Sequence, residues 1–283
     1  MNGVIVVNKE KGYTSRDVVN IVGKYFNTKK VGHTGTLDPM ATGVLVICMG
    51  NCLKLVEMMM NHDKKYFAKI KLGIETDTLD ITGNVLKEMS VPNITKEDIE
   101  SVLNSFIGKI KQEVPKYSAI KVDGRKLYEY ARNGEDVVLP VKDVEIYDIK
   151  MISDIVDNIF WISCHVSKGT YIRSLVRDIG YKLGTVATME ELDRVSLDKF
   201  DILDSYTLDD IKKGKYKILD IKDVVDLPRV VVDSEMEKRI RNGQVLKKFF
   251  DDDRVLILNN DDEVIAIYEK KDDVYVKPYR MFI

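Results

Sequence analysis

In the stretch YFAKIKL, Tyr66, Ala68, Ile70 and Leu72 share one face, and Phe67, Lys69 and Lys71 share the other. A period of two with apolar residues on one side is the pattern of a half-buried β-strand, which commits this chain to a sheet that turns one face to a core. Other runs are apolar almost throughout: Val4–Val7, Val44–Cys48 and IFWISCHV over residues 159–166. Helical stripes lie between them. Val18, Val19, Ile21, Val22, Tyr25 and Phe26 follow Thr14 and Asp17, which have capping-box spacing. Ile99, Val102, Leu103 and Phe106 make a second stripe within residues 94–107. Ile172, Leu175, Val176, Ile179 and Leu183 make a third, which Thr170 is placed to cap.

The 283 residues suffice for one large domain and a small one, or for two of moderate size. From about Leu227 the pattern changes to short runs, RVVVD, RVLILNN and VIAIYEKKDDVYVKP, broken by turn signals and lacking long helical patterns. This predicts a separate small β domain, joined near residue 225 through the Asp/Lys-rich KKGKYKILDIKDVVD. The three cysteines, Cys48, Cys52 and Cys164, have no disulfide-like spacing and read as thiols packed in a reducing compartment. His33, His62 and His165 are too scattered to complete a metal site, so no metal is expected. No leader pattern and no run of membrane-spanning length is found, so a cytoplasmic protein is expected. A net charge of −2 leaves a nucleic-acid partner open, and only local charge can speak to it.

The loop GHTGTLDPMATG, residues 32–43, carries the first candidate for chemistry. Pro39 keeps the preceding Asp38 out of the helical region, and Gly32 and Gly35 allow close approach of the backbone to a ligand. Asp38 is therefore either a carboxylate presented rigidly from a strand edge or an Asx-turn that starts the next segment. The loop lacks the Gly-Lys-Ser/Thr that opens a helix in a P-loop, so a phosphate cradle of that kind is excluded. His33 shares the loop. Tyr66 lies on the apolar face of its strand, where a core tyrosine with its hydroxyl at the rim is the plainer alternative. Arg173 stands in the first turn of a helix, off its apolar stripe. A positive charge there opposes the helix dipole and calls for a local carboxylate, of which Asp38 is one. Between Lys109 and Arg132, seven basic residues face three acidic ones, a local charge of +4, with Tyr117, Tyr128 and Tyr130 interleaved around the turn signal Asp123-Gly124. Such a hairpin and helix can grip a phosphate backbone, the alternative being a solvated amphipathic surface.

Five blocks occur in order: GHTGTLDPMATGVL, DKKYFAKIKLG, TDTLDITG, YSAIKVDGRKLYEYAR and CHVSKGTYIRSLVRDIG. Together, over about Gly3 to Asp198, they resemble the bacterial TruB-type tRNA pseudouridine synthases, which modify uridine 55 in the TΨC arm. The resemblance implies an α+β fold, with a mixed, largely antiparallel sheet flanked by helices over residues 1–225. It also implies a small RNA-binding β-barrel of the PUA type over 226–283 and an RNA-gripping hairpin at 109–132. It makes Asp38 the essential aspartate, Tyr66 the tyrosine that stacks on the target base and assists deprotonation at C5, and Arg173 the partner of the aspartate. His33 aligns with the histidine near the flipped-out nucleotide, Tyr171 and Leu192 with residues lining the uracil pocket, and Lys9 and Lys64 fall with the substrate contacts. A stand-alone monomer acting on tRNA without a cofactor is the expected form. Two positions depart from the family pattern: Glu10 replaces the proline after Lys9, and Asp193 replaces a basic residue after Leu192.

Overall fold

The computed structural model describes residues 1–282. Its main sheet has nine strands, seven of them in the order Gly3–Lys9, Thr42–Met49, Ala187–Leu197, Lys64–Leu72, Ile159–Val166, Val141–Met151 and Gly108–Glu113. Each neighbouring pair along that path is antiparallel except Thr42–Met49 with Ala187–Leu197. Short strands at Val31–His33 and Phe200–Asp201 add to it. The alternation read in YFAKIKL is present: Tyr66, Ala68, Ile70 and Leu72 are buried on one face. Against that core lie Leu175, Val176 and Ile179 of the Ile172–Lys182 helix, Ile99 and Leu103 of Lys96–Asn104, and Val18 and Val22 of Ser15–Tyr25. Burying each such side chain contributes about 1.5–3 kcal/mol.

The Ser15–Tyr25 helix opens on the expected capping box. Thr14 Oγ1 accepts from the Asp17 amide at 3.1 Å, and Asp17 accepts from the Thr14 amide at 2.9 Å. Thr170 does not cap the third helix. Its hydroxyl donates instead to the Ser167 carbonyl at 2.9 Å, and the helix begins after Tyr171 without a side-chain cap. The buried amide of Gln112 does the positioning there. It accepts from Tyr171 N–H at 2.7 Å and donates to the Tyr171 carbonyl at 3.1 Å.

The strand Thr42–Met49 has a split along one edge. Ile47, Cys48 and Met49 pair with Val31–His33, whereas Thr42 and Gly43 pair with Asp193 and Arg194. In the gap between these pairings the loop 34–41 leaves the sheet. The backbone groups stranded there are still satisfied, because the Thr34 amide donates to Val46 O at 3.1 Å and Arg194 Nε donates to Val44 O at 2.7 Å.

The tail forms a second sheet in the order Arg229–Val231, Arg254–Leu258, Val264–Lys270, Tyr275–Met281, Leu246–Lys247. Its path does not close, so the expected barrel is an open half-barrel. Both faces are buried. Val255, Ile257, Ile265 and Val276 pack with Ile240, while Leu256, Leu258 and Ile267 join Phe282 against Val4, Val6, Val44 and Cys48 on the back of the main sheet. Asn51 and Lys54 donate to the carbonyls of Phe282 and Met281 at 2.8 and 2.6 Å, and Arg280 pairs with Glu57 at 2.6 Å. The Asp/Lys-rich connection is pinned, with Leu219 and Val4 exchanging backbone hydrogen bonds of 2.9 and 2.8 Å. One tail helix, Ser234–Arg241, was not expected. It buries Ile240 alone, so no apolar stripe announces it, although Asp233 caps it by accepting from the Met236 amide at 2.8 Å.

Gly43 is where the split strand and Ala187–Leu197 touch. Its φ is +102°, and a β-carbon there would lie 2.3 Å from the Arg194 carbonyl oxygen. Strain and backbone clash together should cost on the order of 3 kcal/mol. Gly43→Ala is therefore expected to lower Tm by roughly 5–10 °C in calorimetry. An unchanged Tm would mean that the two strands can part there freely.

Candidate active site

Asp38 leaves the split sheet on a tight turn, with Pro39 at its second position and the Ala41 amide donating to the Asp38 carbonyl at 3.1 Å. Three ties fix the loop. Ser15 Oγ accepts from the Leu37 amide at 2.9 Å and donates to its carbonyl at 3.1 Å, and the Gly12 amide donates to Pro39 O at 2.8 Å. The third is Lys9, which lies wholly buried and donates to the carbonyls of Tyr13, Glu10 and Pro39 at 2.7, 3.1 and 3.3 Å. Lys9, expected among the substrate contacts, stands in the loop's scaffold and outside the lining of the cavity. Burial draws its ammonium down to about 8, with Asp38 opposing. With Lys9 gripping three carbonyls, the turn at Glu10 is braced without the proline.

The Asp38 side chain does not fold back on its own backbone as an Asx-turn would. Arg173 holds it edge-on, Nε to Oδ2 at 2.9 Å and Nη2 to Oδ1 at 3.2 Å. The guanidinium is itself fixed, with Nη1 donating to Thr78 O at 2.9 Å, Nη2 donating to Tyr117 O at 3.1 Å, and Asp80 at 3.8 Å. Burial lifts the Asp38 carboxyl above the ordinary aspartate range. Arg173 and Lys9 pull it down, and Asp80 pushes it up.

A cavity of about 490 Å³ opens over this pair. Tyr66, Tyr171, Leu192, Lys64, Asp38 and Arg173 all line it. Burial raises the Tyr66 hydroxyl, while Arg194 favours the phenolate by charge and hydrogen bond. Lys64 donates to His62 O at 2.5 Å, and burial together with Arg194 draws it down to about 8. His33 lies outside the lining. Its Nδ1 accepts from the Gly35 amide at 3.2 Å, which ties it to the wall rather than into the space.

The foot of the hairpin closes the cavity with Tyr117, Ser118 and Tyr128. The turn forms as read, with Asp123 and Gly124 both at positive φ, +51° and +82°. Its charge is less free than the count of +4 suggested, because Arg125 is held by Glu135 at 2.8 and 3.0 Å and lies over the Tyr130 ring. Lys126 and Arg132 flank the Tyr128 ring at 5.3 and 5.4 Å.

Sequence reasoning missed Arg194, Asp80 and Gln112. Arg194 is 1% exposed, lines the cavity floor, donates to Gly35 O at 3.1 Å, and has no carboxylate partner within salt-bridge distance among the described residues. A signal for it existed. Leu192 and Arg194 stand two apart on one strand, opposite Ala68 and Tyr66, so an inward Leu192 implies an inward Arg194. Asp193, the departure from the family pattern, faces the other way and accepts a hydrogen bond from Thr42.

A sheet of this topology has solved relatives. The fold matches a chain of "Structure of H/ACA RNP bound to a substrate RNA containing 2'-deoxyuridine", with TM-score 0.72 and 23% identity over 99% of this chain and 85% of that one. It also matches one of "Crystal Structure of a Cbf5-Nop10-Gar1 Complex", with TM-score 0.71 and 24% identity over the same shares. The fold is that of the pseudouridine synthases. The family model described as "TruB family pseudouridylate synthase (N terminal domain)" matches residues 23–172, and "tRNA pseudouridylate synthase B C-terminal domain" matches 173–236. Two proteins named tRNA pseudouridine synthase B are each 43% identical. That of Caldanaerobacter subterraneus aligns over 89% of this chain and 88% of its own, and that of Clostridium tetani over 95% and 93%. The chain belongs to the TruB family of pseudouridylate synthases, and it is an enzyme.

Titration of the carboxylate tests the electrostatics directly. In carbon-13 NMR of the labelled protein, Asp38 should ionise at higher pH than the exposed aspartates. Arg173→Gln should move it further up, because the burial penalty stays while the main charge favouring ionisation is gone. A downward or absent shift in that variant would show that Arg173 does not set the charge of Asp38.

Proposed function

We propose that this enzyme converts uridine 55 in the TΨC stem-loop of tRNA to pseudouridine, with the target nucleotide flipped into the cavity above Asp38. The observation that carries the reading is the edge-on Asp38–Arg173 pair at the floor of a cavity walled by Tyr66, Tyr171 and Leu192. The relatives' printed name, tRNA pseudouridine synthase B, supports the substrate class.

The reaction detaches uracil from C1′, turns it, rejoins it through C5 and releases the C5 proton. A carboxylate can attack C1′ or take the C2′ proton, and both routes begin from the ionised acid. Arg173 supplies that state against the pull of burial, and its bonds to Thr78 O and Tyr117 O keep it from following the carboxylate as charge develops. Tyr66 gives the base an aromatic face. Burial opposes ionisation of its hydroxyl and Arg194 favours it; in the proposed step the Tyr66 oxygen assists removal of the C5 proton while N1 gains one, so that the net change is an isomerisation. Extruding a stacked uridine costs roughly a few kcal/mol, which contacts outside the cavity must offset. The hairpin at 109–132 and a second RNA-binding unit from residue 226 are assigned that work, with His33 bracing the wall beside the extruded nucleotide.

Asp38→Asn should abolish pseudouridine formation in an unmodified tRNA transcript while RNA binding, measured alongside, stays within about threefold, since the substitution keeps shape and removes charge. Retained product would remove Asp38 from the chemistry, and a wild type that binds without turnover would favour a binding module. Affinity should also fall steeply with salt, with log K against log salt sloping by about −0.7 to −0.9 per neutralised phosphate. A flat response would reject the hairpin's clamping role.

A further inference from the structure

Beside the catalytic loop, and separate from the cavity, a groove of about 490 Å³ runs between the Ser15–Tyr25 helix and the turn that follows it. Arg16, Asn20 and Lys24 stand on successive turns of one helix face, about 6 Å apart along the axis. Thr28, Lys29 and Val31 of the following segment complete the lining, with Thr28 and Val31 against Gly23 of the helix. Arg16, Lys24 and Lys29 are exposed, none has a carboxylate within salt-bridge distance among the described residues, and no acidic residue lines the groove. In a chain of net charge −2, such an unrelieved cationic track stands out. Among its uncharged lining residues Asn20, Asn27 and Thr28 bring amide and hydroxyl groups that suit phosphate and sugar oxygens, beside the apolar Val19, Gly23 and Val31.

The groove is joined to the site at both ends. Ser15, next to Arg16, is bonded through Oγ to both backbone groups of Leu37, one residue before Asp38. Val31 begins the strand that ends at His33, whose ring accepts from Gly35 in the cavity wall. Arg16 is near enough for its charge to act on His33. A polyanion lying along the helix is thus led past His33 to the mouth of the cavity.

We propose that this groove is a second docking track for the sugar-phosphate backbone of the substrate RNA, with Arg16, Lys24 and Lys29 each neutralising one phosphate. This rests on the functional reading above. The test compares Arg16→Gln/Lys24→Gln/Lys29→Gln with a control of equal charge loss at the exposed Lys87, Lys96 and Lys212. Binding of an unmodified tRNA transcript is measured across a range of salt, and kcat and KM are measured for pseudouridine formation. In the groove variant the slope of log K against log salt should become shallower by about 2. Affinity at low salt should fall tenfold or more, and KM should rise with it while kcat holds; each single substitution should account for about a third of the slope change. The control should shift none of these by more than twofold. A groove variant that matches the control, in slope and in KM, overturns the proposal. A wild type that makes no pseudouridine from a transcript it binds overturns the functional reading instead, and the two failures are told apart by the same assays.

Discussion

Arg194 bridges an opening in the sheet on which the site depends. A strand that pairs with two different partners along one edge must leave backbone groups unpaired between them, and burial makes such groups costly. Here the guanidinium reaches in from the neighbouring strand, satisfies Val44 O and Gly35 O, and places its charge beneath Tyr66. The gap it spans is where the catalytic loop leaves the sheet. Without that bridge Val44 O and Gly35 O would lose their side-chain partner where the loop departs.

The charges at the site do not cancel. Lys64, Arg173 and Arg194 at the cavity and Lys9 in the loop's scaffold stand against Asp38 and Asp80, an excess of two positive charges in a buried place. Such an excess is expensive in an empty protein and useful once a polyanion arrives. Its effect is divided. Arg173 holds the reacting carboxylate ionised, whereas burial weakens the two lysines as cations, drawing each down to about 8.

Much of the fold could be read from period and punctuation. Tyr66–Leu72 alternates cleanly because one side faces water, Asp123-Gly124 forms its turn because both residues tolerate positive φ, and Thr14 with Asp17 caps a helix through purely local bonds. What stayed hidden is long-range. Gln112 takes over the role assigned to Thr170 from 59 positions away, a contact that no local pattern encodes. Lys9 was placed among the substrate contacts by resemblance alone, and no local pattern announced that three carbonyls brought together by the turn absorb its ammonium. The Asp38–Arg173 geometry was suggested by the misplaced charge at a helix start, but their 135-residue separation left the partner open. The tail helix was invisible to periodicity because it covers the sheet with only Ile240, buried, and Met236, partly buried.

The back of the first strand is sealed by residues made some 250 positions later. Val4, Val6, Val44 and Cys48 share their cluster with Leu55, Phe200, Ile221 and Val224, and the cover is completed by Leu256, Leu258, Ile267 and Phe282. A chain synthesised from its N-terminus therefore carries an incompletely sheltered apolar strip through most of its own translation. Such contacts between distant segments close slowly, and exposed apolar surface in the meantime invites self-association. The half-barrel is thus also the last cover placed on the catalytic sheet. A chain cut short within the tail would carry its chemistry in full, yet Leu55, Phe200, Ile221 and Val224 would have to shelter the back of its sheet without the half-barrel.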